Sequence, residues 1–440
     1  MGDFPAAWAR AILRMVNALP HPLRGLPTMN AMFRPRAHFH FAAALVAALL
    51  AMPAAAQQPR AAPGAGRLPA RLEVVGRGPV TSTRTTDLVV FTAANGRDYA
   101  YTGTFGACQG CAGNKLYVWD VSDPATPALT DSIVVDAAIV NDVAVNREGT
   151  LAVLTREGAR SRRNGIVVLD LADPAHPRVA SEYWETLLGG VHNAFIDGHY
   201  AYVVDTGPNE MAIIDLSDPK DPREVGRWGV PYQPERYLHD VFVRDGLAYL
   251  AYWDDGLVIL DVGEGRKEGS PEKPKLISQY RYRTEWRGAR YGNTHFAFPY
   301  TTKAGKKYVF VGDEIFPDRA DLSKRVDTGG YIHVLDVTNP EGPNEVATYE
   351  APGSGVNNFW IDNDTLYVGA YSAGLRVVDL SGDIRGSLRG REVAALLTVD
   401  DKAFLPDLPF TWAAMPHKGL VYATDFNSGL WIARVVPVER

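Results

Sequence analysis

Three histidines occupy similar positions in three separate stretches of the chain. His192 lies in LLGGVHNAFIDG, His239 in RYLHDVFVRDG and His295 in NTHFAFPY. Imidazole nitrogens bind divalent transition metals and exchange protons near neutral pH. These residue types therefore predict a site at which a metal ion binds or a proton is transferred.

Carboxylates and other polar groups accompany the histidines. An aspartate ends the apolar run that follows each of them, and the metal hypothesis combines these groups as His192, His239, His295, Asp205, Asp254 and Asp313. The cofactor predicted by this set is a divalent metal ion. His295 lies one residue later in its repeat than His192 and His239 do in theirs, so its side chain is expected to point differently. This shift is the main argument against the metal site.

The same histidines also support an acid–base interpretation. Arg236-Tyr237 and Arg290-Tyr291 each precede a histidine by a few residues. An arginine can neutralise an anionic substrate, and a tyrosine can transfer a proton. The candidate catalytic residues are His239, His295, Tyr237, Tyr291 and Arg236.

These residues must be positioned by a repeated unit. The stretch IVVLDLADPAHP (166–177) has counterparts such as LYVWDVSDPATP (116–127) and MAIIDLSDPKDP (211–222). Its aspartate recurs at Asp120, Asp170, Asp215, Asp261, Asp336 and Asp379, with Arg434 in the seventh place. The spacings run from 43 to 55 residues, apart from one of 75. Such a period in a chain of short strands predicts a β-propeller.

Each repeat supports four antiparallel strands, so the fold class is all-β, a seven-bladed propeller over residues 70–440. First strands are predicted to begin near Asp87, Asp142, Asn193, Asp240, His295, Asn358 and Trp412. The last repeat has no fourth strand of its own. We expect LEVVGRGPV (72–80), which resembles the fourth-strand segment 223–231, to complete blade 7 and close the ring.

The repeat resembles the LVIVD-repeat family of exported bacterial β-propellers. The pattern is carried by LHDVFVRDGLAYLAYWDDGLVILDV (238–262) and by residues 191–222. The resemblance extends over roughly residues 70–440. It implies the propeller fold, whereas members generally carry no assigned reaction.

Long loops are concentrated on one predicted face of the propeller. They include residues 155–165, 229–240, 284–295 and 312–330, and elaborate loops on a rigid scaffold favour a binding face. The predicted ligand-binding residues at the channel mouth are Asn141, Asp142, Asn193, Asp240, Asn357 and Trp412. A structural alternative stays open, because polar residues at these positions belong to the repeat and can bond the backbones of neighbouring blades.

The composition excludes some partners. The net charge is −6 and no long basic block occurs, so we expect no nucleic-acid partner. After the N-terminal region, no segment approaches the roughly 20 apolar residues of a membrane-spanning helix, so we expect none in the mature chain. The predicted partner is a small molecule, a glycan or a protein.

The N-terminal region predicts export. From Met32 the chain has two arginines, an apolar stretch from Ala42 to Met52, and small residues at 54–56, which is typical of a signal peptide cut after Ala56. Residues 1–56 are assigned to this signal, with translation starting at Met1, Met29 or Met32, and residues 57–69 to a disordered linker. In a periplasmic or extracellular protein, Cys108 and Cys111 are expected to form a disulfide.

Two functions remain open. The first is an exported propeller that binds a ligand at a pocket lined by histidine and aspartate on the loop-rich face. The alternative is a metal-assisted lyase or hydrolase that uses the same histidines and carboxylates.

Overall fold

Seven β-sheets arranged around one axis form the fold. The structure is a computed structural model that describes residues 68–106, 112–187, 189–231, 236–282, 293–317 and 320–438. Each sheet is one blade with four antiparallel strands, named A to D from the axis outwards. The predicted seven-bladed propeller is therefore confirmed.

The strands of the first four blades follow chain order. Blade 1 contains Arg84–Thr92, Asp98–Phe105, Lys115–Asp120 and Ala128–Val134. Blade 2 contains Val143–Val145, Leu151–Arg156, Gly165–Asp170 and Arg178–Tyr183. Blade 3 contains Val191–Asp197, Tyr200–Asp205, Glu210–Asp215 and Arg223–Trp228. Blade 4 contains Asp240–Arg244, Leu247–Tyr252, Gly256–Asp261 and Lys275–Tyr280.

The last three blades include the closure of the ring. Blade 5 contains Thr294–Thr301, Lys307–Asp313, Ile332–Asp336 and Asn344–Tyr349. Blade 6 contains Phe359–Asp362, Thr365–Gly369, Leu375–Asp379 and Glu392–Leu396. Blade 7 contains Thr411–His417, Leu420–Asp425, Gly429–Pro437 and, as strand D, Ala70–Pro79.

Three short elements are added to this plan. The two-residue strand Ile139–Val140 pairs with strand B of blade 1. Gly386–Ser387 adds a parallel fifth strand to the edge of blade 5. A 3₁₀-helix, Arg389–Arg391, precedes strand D of blade 6. The repeat pattern did not predict these elements, because they lie in the connections between the repeated strands.

The N-terminal strand closes the ring as predicted. Ala70–Pro79 pairs antiparallel with Gly429–Pro437, from Ala70 opposite Pro437 to Pro79 opposite Gly429. Both ends of the described chain therefore contribute to one sheet. Strand C of blade 7 is covered by a neighbour and does not form an open edge.

The recurring aspartate shapes the turn between strands C and D. The Asp170 carboxylate accepts a hydrogen bond from the amide N of Ala172 at 2.8 Å, and Asp215 accepts one from the amide of Ser217 at 2.8 Å. This local bond is the Asx turn that aspartate favours, and the following proline fixes the backbone. The repeated motif is thus a strand followed by a self-bonded turn.

Apolar residues fill the space between blades, and the A strands surround a central channel. Strand C of blade 2 is typical, since Ile166, Val167, Val168 and Leu169 are all fully buried. Burial on both faces explains why these strands read as continuous apolar runs. Residues from all seven A strands line the channel, so a polar residue at the start of an A strand faces the other blades across the axis.

Candidate functional site

The three histidines meet at the channel mouth. The ring centroids of His239 and His295 are 4.0 Å apart, and those of His192 and His239 are 4.6 Å apart. All three side chains are buried. The one-residue shift of His295 therefore does not keep its ring away from the other two.

Glu314 completes a group of three potential metal ligands. Ligand atoms of His239, His295 and Glu314 all lie within 4.8 Å of one another. Nε2 of His295 is 3.7 Å from Oε1 of Glu314. Two ligands on one ion can be up to about 4.2 Å apart when each bond is about 2.1 Å, so a single ion can reach both atoms.

Hydrogen bonds fix the orientation of two of the imidazoles. Nδ1 of His239 lies 2.9 Å from the carbonyl oxygen of His295 and must donate, because a carbonyl oxygen only accepts. This selects the tautomer of His239 with its lone pair on Nε2. His192 is held from both sides, since its Nδ1 lies 2.6 Å from Glu157 and its Nε2 lies 3.3 Å from the Asn141 amide.

Burial keeps the two candidate ligands neutral. Desolvation lowers the pKa of His239 well below its ordinary value, and the neighbouring imidazoles lower it further. Desolvation, together with the electrostatic interaction with His192, lowers the pKa of His295 to about 3. Neutral imidazole is the form that binds metal ions.

Tyr371 holds the carboxylate of Glu314. Its hydroxyl donates to Oε1 of Glu314 and accepts a hydrogen bond of 2.7 Å from the Asn357 amide. The backbone of Tyr371 has a φ of 42°, in the left-handed region that non-glycine residues rarely adopt. The surrounding structure stabilises this strained conformation, which places a hydroxyl against the carboxylate.

The predicted aspartates lie at the ends of the B strands with other partners. Asp205 is bonded by Nη1 of Arg227 at 2.9 Å, and Asp313 by the Tyr282 hydroxyl at 2.6 Å. The half-buried Asp254 uses its backbone carbonyl to accept a hydrogen bond from Arg281. The structure brings the next residue after Asp313, Glu314, to the histidines instead.

Tyr237, another predicted catalytic residue, lies beside the cluster, because its ring and that of His239 both stack on Trp253. The Tyr237 ring stacks on Trp253 with centroids 4.6 Å apart, and its hydroxyl is buried without a hydrogen-bond partner among the described residues. Burial raises the pKa of Tyr237, and the charges of Glu314 and Asp254 raise it further. Arg236 pairs with Asp255 at 2.5 Å. Tyr291 lies outside the described residues, as do Cys108 and Cys111.

Two of the predicted asparagines, Asn141 and Asn193, link neighbouring blades. Asn141 of blade 2 donates to Oδ1 of Asn193 at 2.8 Å, and Asn193 of blade 3 donates to the carbonyl of His239 at 3.1 Å. Asn357 is bonded to Tyr371, as described above. Trp412 is buried and stacks on Phe426, with ring centroids 5.0 Å apart. The bond from Asn193 to the His239 carbonyl is of the kind that the structural alternative predicted, whereas Asn357 and Trp412 contact side chains of their own blades.

Asp142 and Asp240 face the channel, together with Asp87 of blade 1. They line a cavity of about 140 Å³ that begins one residue beyond the histidine level and continues past Phe195, Phe242 and Trp360. Burial raises the pKa of Asp142 to about 6. Burial and the charge of Asp142 raise the pKa of Asp87 well above its ordinary value.

The sequence placed Asp313 and Glu314 together at the channel mouth, but the predicted metal set named Asp313 rather than Glu314, and it included neither Glu157 nor Tyr371. Glu314 adjoins the predicted Asp313, and at the end of a strand the sequence does not tell which of two adjacent side chains faces the axis. Tyr371 occupies a turn position at which a positive φ usually requires glycine. No sequence signal identified it.

The fold and the site define a seven-bladed β-propeller with a buried histidine–glutamate cluster at its channel mouth. The LVIVD repeat family matches residues 98–135, 189–229 and 235–281, which form most of blades 1, 3 and 4. The chain therefore contains three LVIVD repeats within a seven-bladed β-propeller, which is consistent with the family that its sequence resembles.

Solved structures support the fold alone. The β-propeller domain of Cps50 (Swd1) from Myceliophteria thermophila is 11% identical, with a TM-score of 0.53, covering 84% of this chain and 100% of that one. The WD40 β-propeller domain of Doa1 is also 11% identical, with a TM-score of 0.51, covering 82% of this chain and 96% of that one. The comparison with curated proteins found no match.

No helix in the described part of the chain is long and apolar enough to cross a membrane.

Proposed function

We propose that this propeller binds a divalent transition-metal ion through His239, His295 and Glu314 and uses the ion to hold a small-molecule ligand at the channel mouth. The observation that carries the proposal is the convergence of two imidazoles and one carboxylate from blades 4 and 5. Two histidines and one glutamate form the protein ligand set of many catalytic zinc sites, which leave a coordination position open.

The surroundings of the three ligands support this proposal. His239 donates its second ring nitrogen to a backbone carbonyl, and Glu314 accepts a hydrogen bond from Tyr371. Such outer contacts fix the ligands of metal sites in position. The low pKa of His295 means that protons compete weakly with a metal ion at neutral pH.

Metal titration of purified, EDTA-treated protein tests the proposal. We expect one equivalent of Zn²⁺ to bind in isothermal titration calorimetry, and His239→Gln or Glu314→Gln to weaken that binding at least about 100-fold. The matched control is His199→Gln, because His199 is largely exposed at 54% of its side chain and lies outside the cluster. Equal zinc binding by all four proteins would refute the proposal.

The ligand held by the ion is a small molecule in this proposal, rather than a glycan or a protein. The cluster is buried, and a buried ion is reached more readily by a small group than by a broad surface. Zinc-loaded and EDTA-treated protein should therefore differ in affinity for a simple chelating probe such as acetohydroxamate. Equal affinity in the two states would contradict a role for the ion in ligand binding.

The second candidate function is a metal-assisted lyase or hydrolase, and the Tyr237 hydroxyl favours it. This hydroxyl lies near Glu314 and has no hydrogen-bond partner among the described residues. A tyrosine with a raised pKa stays protonated and can donate a proton to a leaving group. Zinc-loaded protein should then hydrolyse a small alkyl ester such as ethyl acetate, whose alkoxide leaving group needs a proton, and Tyr237→Phe should abolish turnover without changing zinc affinity. Activity that survives in Tyr237→Phe would exclude this role.

We also propose that the protein acts outside the cytoplasm. The support is the signal-like segment from Met32 to Ala56 and the closely spaced pair Cys108 and Cys111. N-terminal sequencing of protein from a periplasmic or secreted fraction should begin at Gln57, and thiol counting of that protein should find none free. A retained leader or two free thiols would contradict export or the disulfide, respectively.

A further inference from the structure

The central channel contains a second set of polar groups beyond the histidines. Asp87, Asp142 and Asp240 come from the A strands of blades 1, 2 and 4, and Asn358 comes from blade 6. All four line the cavity of about 140 Å³. No arginine, lysine or histidine is among the described residues that line it.

These groups present acceptors to the cavity. Asn358 donates its side-chain amide to Asp87, and its Oδ1 has no hydrogen-bond partner among the described residues although the residue is only 8% exposed. A buried polar atom without a partner costs free energy unless a bound group satisfies it. A carbonyl oxygen and three carboxylates together are suited to a ligand that donates hydrogen bonds and carries positive charge.

A single bare metal ion does not fit this set. Among the described residues, the one group of three such ligands whose atoms lie within 4.8 Å of one another is the histidine–glutamate cluster. The three aspartates are therefore too widely spaced to bind one ion directly. A cation that contacts all three aspartates must therefore be larger than a single metal ion.

The rest of the cavity wall is apolar and aromatic. Phe195 and Phe242 have ring centroids 4.3 Å apart, and Trp360 lies 5.8 Å from Phe242. Phe195 and Trp360 are only half-buried and line the cavity, as does the thioether of Met415. Such a wall suits an apolar ligand body, and aromatic faces also attract organic ammonium groups.

We propose that the channel binds a small organic ammonium ion, with its charged nitrogen among Asp87, Asp142 and Asn358 and its apolar body against Phe195, Phe242 and Trp360. The cavity is close in volume to the ~150 Å³ cavity that holds a benzene ring in a protein core. The ligand is therefore an amine of about the size of benzylamine. Burial raises the pKa of Asp87 well above its ordinary value and the charge of Asp142 raises it further, and a bound cation would favour the ionised form of both carboxyls.

Calorimetry with benzylammonium tests this proposal on EDTA-treated wild-type protein. We expect 1:1 binding that is at least about tenfold tighter than binding of the neutral analogue benzyl alcohol, since a charge-assisted hydrogen bond contributes that much. Asp87→Asn and Asp142→Asn should each weaken benzylammonium binding about tenfold. The matched control is Asp245→Asn, because Asp245 is exposed in the turn after strand A of blade 4 and does not line the cavity.

A blocking variant keeps the test decisive if an aspartate variant fails to fold. Ala144→Leu places a larger side chain in the half-exposed cavity wall and retains every carboxylate, so it should abolish benzylammonium binding. The proposal is wrong if wild type does not bind benzylammonium, if benzyl alcohol binds equally well, or if Ala144→Leu binds like wild type. Because no metal is present, loss of the metal proposal would leave these results unchanged.

Discussion

The buried histidines of blades 4 and 5 differ in what surrounds them. His333, on strand C of blade 5, lies between two carboxylates, with Nε2 3.1 Å from Asp313 and Nδ1 3.4 Å from Glu345. His239 and His295 instead face other imidazoles. His333 is therefore part of an ion pair, whereas His239 and His295 are neutral and can offer a nitrogen lone pair to a metal ion.

The pKa values of the two groups move in opposite directions. The carboxylates beside His333 outweigh its desolvation and raise its pKa to about 9, whereas desolvation and the interaction with His192 lower the pKa of His295 to about 3. A charged imidazole between carboxylates stabilises the fold, and a neutral imidazole beside one carboxylate is available to a metal ion. Burial alone does not separate an ion-paired histidine from a neutral one that is proposed to bind metal, but their immediate partners do.

The largest expected stability effect comes from His333→Gln. This change removes the cation between Asp313 and Glu345 and leaves the fully buried Asp313 without its ion pair. Breaking a buried ion pair in this way lowers the free energy of unfolding by about 3–5 kcal/mol. Urea denaturation measures the loss, and zinc stoichiometry of the folded variant should stay at one. If the His333→Gln variant were as stable as wild type, or if it no longer bound zinc, His333 would not differ in role from His239 and His295.

The pH dependence of stability sharpens the same distinction. Since the pKa of His333 is about 9 in the folded protein and about 6.5 in the unfolded chain, its contribution is complete below pH 6.5 and is lost as the pH rises through 9. The stability advantage of wild type over His333→Gln should shrink by roughly 3 kcal/mol across this range. Denaturation of both proteins at pH 6, 8 and 10 measures it. A constant difference would mean that His333 is not charged in the folded state.

A smaller effect is expected from the positioning residue of the metal cluster. Tyr371→Phe removes the hydroxyl that holds Glu314, and loss of such a contact should weaken zinc binding about tenfold. Tyr349→Phe is the matched control, because Tyr349 is also fully buried and donates to a glutamate, Glu392, at 2.6 Å. Calorimetry should find unchanged zinc affinity in the control. Equal affinity in both variants would limit Tyr371 to a structural role.

The fold could be predicted because its information is repeated and local. In six of the seven C strands an aspartate accepts a hydrogen bond from the turn that follows it, as Asp170 does from the Ala172 amide, so these copies repeat the same signal. Closure was predictable from the missing last strand and the spare N-terminal one. The site was only partly predictable, because the side chains that meet at the channel mouth differ from blade to blade. Neither the choice of Glu314 over Asp313 nor the strained Tyr371 can be read from local patterns.

The central claim is that one metal ion is held by His239, His295 and Glu314. The most direct test is an anomalous difference map at the zinc edge from crystals of zinc-loaded protein. We predict one strong peak between the two imidazoles and the Glu314 carboxylate, with metal–ligand distances of about 2.0–2.2 Å. A map without a peak at this position, or with its main peak beside His333 and Asp313, would contradict the account.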